Sequence, residues 1–126
     1  MILGLGNDIV EIKRFDNANL LALAKRVLTP NELNIFGEHK QAIAYLAKRW
    51  AAKEAAAKAV GTGIACGVSF QNFEITNDER GKPVLLVSGQ AEKILSDLAQ
   101  GKVVKSLISL SDEQSYAFAT VIFESS

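Results

Sequence analysis

The 126-residue chain balances fourteen Lys and Arg against fourteen Asp and Glu, and 48% of its residues are hydrophobic with only two prolines. That is the composition of one folded globular domain spanning 1–126, not of a disordered chain. The zero net charge argues against a long nucleic-acid or membrane surface and leaves electrostatic recognition local. No apolar run approaches the ~20 residues of a spanning helix. The lone Cys66 and Asp8 inside the early apolar stretch speak for a reducing, cytoplasmic setting without a secretory signal.

Ile2 to Val10 is aliphatic with Gly4 and Gly6 two residues apart, which predicts a buried strand closely approached by other backbone. Asp8 is the anomaly in it. From Asp16 to Leu28 the apolar residues Leu20, Leu23, Ala24 and Val27 follow helical spacing, and Lys13, Arg14, Lys25 and Arg26 give that region a basic surface. Thr29-Pro30-Asn31-Glu32 combines an N-cap threonine, a proline at the first helical position and a glutamate at the third, so a second helix starts there. A long helix is predicted over 42–60, closed by Gly61 in the left-handed conformation. Phe70–Thr76 and Val84–Val87 read as a hairpin about the turn containing Gly81-Lys82-Pro83, Gln90–Ala99 as a helix, and Ser106–Ser111 with Tyr116–Glu124 as a second hairpin. The order predicts an α+β fold with helices packed on an antiparallel sheet.

On a helical wheel, Glu54 falls in the middle of an apolar stripe formed by Ile43, Leu46, Ala47, Trp50, Ala51 and Ala57. A carboxylate there must be paired, bind a metal, or carry a proton. One reading is an i,i+4 salt bridge to Lys58. The other joins Glu54 to Asp8, since two carboxylates in apolar settings would suffice for Mg2+, which takes the rest of its ligands from water and phosphate. For Asp8 alone, a capping or turn role is the alternative. Lys48, Arg49, Lys53 and Lys58, followed by Gly61-Thr62-Gly63, could hold phosphates, although a Gly-x-Gly after a helix is more often its cap than an anion nest. His39 lies in a polar stretch and reads as an exposed helix end, and Cys66 as a packing residue. The chain has no Walker loop, dinucleotide fingerprint or Cys-x-x-Cys pair.

Gly6-Asn7-Asp8-Ile9-Val10-Glu11 and Arg49-Trp50-Ala51-Ala52-Lys53-Glu54-Ala55-Ala56-Ala57-Lys58-Ala59 resemble the two signature motifs of phosphopantetheinyl transferases. Gly61-Thr62-Gly63-Ile64, the Phe70 to Glu74 stretch, Gly81-Lys82-Pro83 and Tyr116 to Ile122 extend the likeness to the short bacterial holo-acyl-carrier-protein synthases over essentially the whole chain. The resemblance implies a Mg2+-dependent enzyme that moves phosphopantetheine from coenzyme A to a serine of acyl carrier protein, releasing 3′,5′-ADP in support of fatty acid biosynthesis. It also implies a homotrimer with active sites between subunits.

By position, Asp8 and Glu54 correspond to the metal carboxylates and Lys58 to the pyrophosphate contact. Arg49 and Lys53 would lie near the phosphates, Gly61 and Gly63 beside them, and Gly81, Lys82 and Pro83 on the adenine side. Asp112 stands where some relatives carry a histidine near the nucleotide. The mechanism that follows has Glu54 or a water at the cation taking the serine proton, with Lys13, Arg14, Lys25 and Arg26 steering the acidic carrier. A self-association surface is expected from the alanines at 51, 52, 55, 56, 57 and 59 and from a last strand apolar on both faces. Two other readings use the same residues: a Mg2+-dependent nucleotide phosphohydrolase, and a non-catalytic carrier- or nucleotide-binding module.

Overall fold

In the computed structural model, which describes residues 1–16 and 19–126, the chain opens with strand β1 (Ile2–Glu11) and a 3-10 turn at Ile12–Phe15. Three helices follow: α1 (Leu20–Val27), α2 (Pro30–Glu38) and α3 (Ala42–Val60). Next come the hairpin β2 (Phe73–Asn77) and β3 (Pro83–Val87), helix α4 (Gly89–Leu98), and the hairpin β4 (Val104–Asp112) and β5 (Tyr116–Ser125). This is the expected order, an α+β fold with helices on antiparallel sheets. The first helix is shorter than expected. Lys13 and Arg14 belong to the 3-10 turn, and positions 17 and 18 of the expected helix lie outside the described residues.

Strand β5 lies between β1 and β4, so the two ends of the chain are neighbours in one sheet. Because side chains alternate across a strand, Gly4, Gly6, Asp8 and Val10 share one face with Ala117, Ala119, Val121 and Phe123. Helix α3 covers that face. Its approach is possible only because β1 has glycine at the contact: a Cβ on Gly4 would lie 1.8 Å from the Ala59 carbonyl oxygen, and one on Gly6 2.0 Å from that of Ala55.

The alanines of α3 complete this contact from the other side. Ala51, Ala52, Ala55, Ala56, Ala57 and Ala59 are all buried within the chain, against its own strands and neighbouring helices. This corrects the expectation that they serve association between copies: their smallness is spent on close packing inside the fold. The sheet's other face differs. Leu5, Ile9, Leu107, Tyr116 and Phe118 stand exposed on it, Leu5 at 62% and Ile9 at 60%, so β5 is apolar on both faces with only one of them covered.

The expected caps are present. The Thr29 hydroxyl accepts from the Glu32 amide, Oε1 of Glu32 accepts from the Thr29 amide at 2.9 Å, and Pro30 occupies the first helical position. Gly61 closes α3 with φ 102°. Leu28, Leu46, Phe73, Ile75, Val121 and Phe123 are the larger side chains of the core between α3, the sheet and the β2–β3 hairpin. Among the described residues no helix is long and apolar enough to cross a membrane.

Candidate active site

The glycine contact sets the position of Asp8. Two residues beyond Gly6 on the same face of β1, it pairs with Ala119 in mid-strand, which removes the capping or turn alternative for it. The Lys58 ammonium donates to Oδ1 of Asp8 and to the Asn7 carbonyl, each at 3.0 Å. Lys58 thus reaches across to β1 and is engaged with Asp8, whereas the alternative had paired it with Glu54 one helical turn away.

Glu54 is not in an apolar stripe. Trp50, Glu54 and Lys58 form the open row of the second half of α3, because alanines bury its other directions. Partial burial nevertheless raises the Glu54 pKa above the ordinary carboxylate value, and the Asp8 charge raises it further. Lys58, Arg26 and Arg14 oppose the rise. Two carboxylates and three cations therefore share one electrostatic site, with α1 and the 3-10 turn bringing two of the expected carrier-facing residues to it. The Arg14 guanidinium lies 5.9 Å from the Trp50 ring and that of Arg26 5.7 Å from Phe70, and the two rings are 5.1 Å apart. Sequence reasoning missed the contribution of Phe70, which lies in a 3-10 turn before β2 and not in the strand expected from 70 to 76. Lys13 and Lys25 are exposed, Lys13 3.9 Å from Glu11.

A second cluster occupies a different side of α3. A groove of about 350 Å³ is lined by Tyr45, Lys48, Arg49, Gly81 and Pro83 among others. Lys48 lies 3.7 Å from Asp112, which joins that residue to the rim. Nε of Arg49 and the Tyr45 hydroxyl are buried without a hydrogen-bond partner, which is unusual for such groups. Lys82 is exposed on the turn beside Gly81, where its amide donates to Oδ1 of Asp78.

Three expectations require correction. Lys53 cannot lie near phosphates: its side chain is 0% exposed and its ammonium is held 2.6 Å from Oε1 of Glu32 and 2.6 Å from the Val27 carbonyl. Gly61 and Gly63 do not offer their amides to an anion either, since both donate back to the carbonyl end of α3, at Ala57 and Lys58. Glu32, legible in the sequence only as a capping residue, is a buried charge. His39 caps rather than catalyses, its Nδ1 accepting from the Gln41 amide, and Cys66 is an exposed free thiol, not a packing residue.

The donors available to a metal are the two hard carboxylates Asp8 and Glu54, and no group of three or more His, Cys, Asp or Glu suited to a metal exists among the described residues. Such a pair suits Mg2+, which leaves most of its shell to water and phosphate, and suits neither zinc nor softer ions.

Fold and site together define a class: a small α+β protein with a carboxylate pair and flanking cations arranged for phosphate chemistry. A sequence model of the 4′-phosphopantetheinyl transferase superfamily matches residues 4–121, and the chain belongs to that family. It is 53% identical over 128 residues to a holo-[acyl-carrier-protein] synthase of Photobacterium profundum, the match covering 98% of both chains. Its fold is similar to the crystal structure of holo-[acyl-carrier-protein] synthase from Neisseria meningitidis, with TM-score 0.84, 45% identity, and 98% of this chain and 99% of that one covered. A synthase from Bacillus anthracis, solved in complex with CoA (3′,5′-ADP), matches with TM-score 0.80 and 39% identity, over 100% of this chain and 99% of that one.

Proposed function

We propose that this chain, as one transferase domain, moves 4′-phosphopantetheine from coenzyme A to a serine of apo-acyl carrier protein and releases 3′,5′-ADP, in the cytoplasm and in support of fatty acid synthesis. The observation that carries the reading is the Asp8–Glu54 pair, brought together by the Gly6–Ala55 contact and flanked by Lys58, Arg14 and Arg26. Whole-chain likeness to synthases, one of them bound to CoA (3′,5′-ADP), supports the substrates.

Asp8 and Glu54 would hold Mg2+ together with substrate phosphate oxygens. When bound it supplies positive charge that offsets the pyrophosphate and its leaving group. Lys58 adds a second positive charge at the same place. The serine oxygen forms a bond to the phosphorus bearing pantetheine as the bond from that phosphorus to the bridging oxygen breaks. Glu54 takes the serine proton. The chain needs no nucleophile of its own, because the carrier brings it. On the second cluster, Arg49, whose Nε has no hydrogen bond and lies 3.9 Å from Oε2 of Glu32, and Lys48 suit a nucleotide phosphate, with Gly81, Lys82 and Pro83 beside the base.

The test is the intact mass of an apo-acyl carrier protein incubated with this protein, coenzyme A and Mg2+, beside a chelator control. The expected result is a gain of the phosphopantetheine mass that the chelator abolishes. No gain with a carrier that another transferase can load would overturn the reading.

A homotrimer with intersubunit sites belongs to the same proposal. Two features support it: the open apolar face carrying Leu5, Ile9, Leu107, Tyr116 and Phe118, and the location of the two cationic clusters on different sides of α3, which a site shared between copies would unite. Light scattering is expected to give three times the 13.6 kDa chain mass. Phe118→Asp, which sets a charge in that face, is expected to yield monomer with activity reduced at least about tenfold. A wild-type monomer, or a fully active Phe118→Asp monomer, would reject the shared site.

A further inference from the structure

Lys53 heads the fully buried side chains, and the reaction does not use it. Burying an ion pair seldom adds stability over well-packed apolar residues, so its retention calls for another reason. What lysine supplies here, and an apolar residue could not, is a donor to the carbonyl of Val27, the last residue of α1, at 2.6 Å. That carbonyl lies in the last turn of α1, where helix geometry provides no partner.

Its neighbours are tied in the same way. Nε2 of Gln71 donates to the Leu28 carbonyl at 2.8 Å and to that of Arg26 at 3.3 Å. Glu32 fixes Lys53 from the other side and is itself anchored, accepting from the Ile75 amide on β2 at 2.8 Å through Oε2 and from Thr29 through Oε1. Three successive carbonyls at the end of α1 are therefore held by side chains from α3 and from the turn before β2. An eight-residue helix has little stability of its own. Lys25 and Arg26 both sit in this last turn and face outward.

We propose that Lys53, Glu32 and Gln71 are positioning residues that clamp the C-terminal end of α1 and so hold Lys25 and Arg26 as a rigid cationic edge for an acidic carrier protein. The clamp fixes the direction in which Arg26 projects, over Phe70 and toward Glu54, and a pre-set charge costs less order on binding than a mobile one. The docking half of this inference rests on the transferase reading above.

The test uses the full chain in two variants. Gln71→Ala removes two hydrogen bonds from an exposed position without opening the core, and Lys53→Met replaces the ammonium with a chain of similar length. Hydrogen exchange is followed along α1 and α3, and kinetics are measured with carrier protein and coenzyme A varied separately. The expected result is that α1 amides lose protection by about tenfold while α3 amides do not. KM for the carrier should rise about five- to tenfold while kcat and KM for coenzyme A stay within about twofold. If Lys53→Met fails to fold, Gln71→Ala decides alone. Unchanged α1 exchange, or a carrier KM that does not rise separately from that of coenzyme A, overturns the proposal. A wild type inactive on any carrier would sink the transferase reading, and the exchange measurement would still decide the clamp.

Discussion

Glu54→Gln is expected to lower kcat by about 10²- to 10⁴-fold while leaving the protein folded and slightly more thermostable. Under the proposed mechanism the loss follows from removing both a metal-binding charge and the proton acceptor with a substitution that keeps the shape. The gain in stability follows from the raised pKa: burial and the Asp8 charge make ionised Glu54 costlier in the folded chain than in the unfolded one. Glu54's favourable contribution is thus full below its unfolded value, near 4.5, and is lost as pH rises through the higher folded value. The variant should melt above wild type at neutral pH, and the difference should close as pH falls toward that lower limit. Melting curves at several pH values, beside carrier-loading rates, check both halves. A variant that keeps wild-type turnover would remove Glu54 from the mechanism, and one that melts lower at pH 7 would contradict the electrostatic account.

Gly6→Ala is expected to destabilise the chain by more than about 3 kcal/mol, enough to lower Tm by at least about 10 °C or prevent folding. The added methyl would sit 2.0 Å from the Ala55 carbonyl oxygen and 2.8 Å from the Ala59 nitrogen, and both belong to a helix backbone that cannot rotate aside. Any relaxation must lift α3 from β1 and separate Asp8 from Glu54 and Lys58, so whatever folded protein survives should be a poor catalyst as well. Gly37→Ala is the control. No atom lies within 4 Å of a Cβ there and the residue is within α2, so it should be neutral or stabilise by up to about 1 kcal/mol. Thermal denaturation of the three proteins side by side tests the contact, and a Gly6→Ala chain melting like wild type would refute it.

Local chemistry explains why so much was legible. The Thr29-to-Glu32 cap, the Gly61 stop and the two hairpins arise from residues a few positions apart, and each is found. Gly4 and Gly6 were legible as a close approach, though not as an approach to α3. The helical wheel, by contrast, put Glu54 inside the core, because a helix with alanine in nearly every direction has no polar face from which to judge its orientation. Trp50 drew the stripe toward itself, yet it lines the open row and packs against Phe70 with the rings tilted. Lys53 and Lys58 illustrate the same limit, two lysines five residues apart of which one is sealed in the core on Glu32 and the other half-exposed on Asp8.

The order of elements, the α+β class and the family are legible in the chain alone, because each is written in short-range patterns of size, charge and capping. Which charges are buried, which face the site, and that Asp8 meets Glu54 all follow from tertiary packing. That choice depends on the direction from which strands and helices approach α3, and the approach is set by contacts between residues as distant as Gly6 and Ala55, or Glu32 and Lys53.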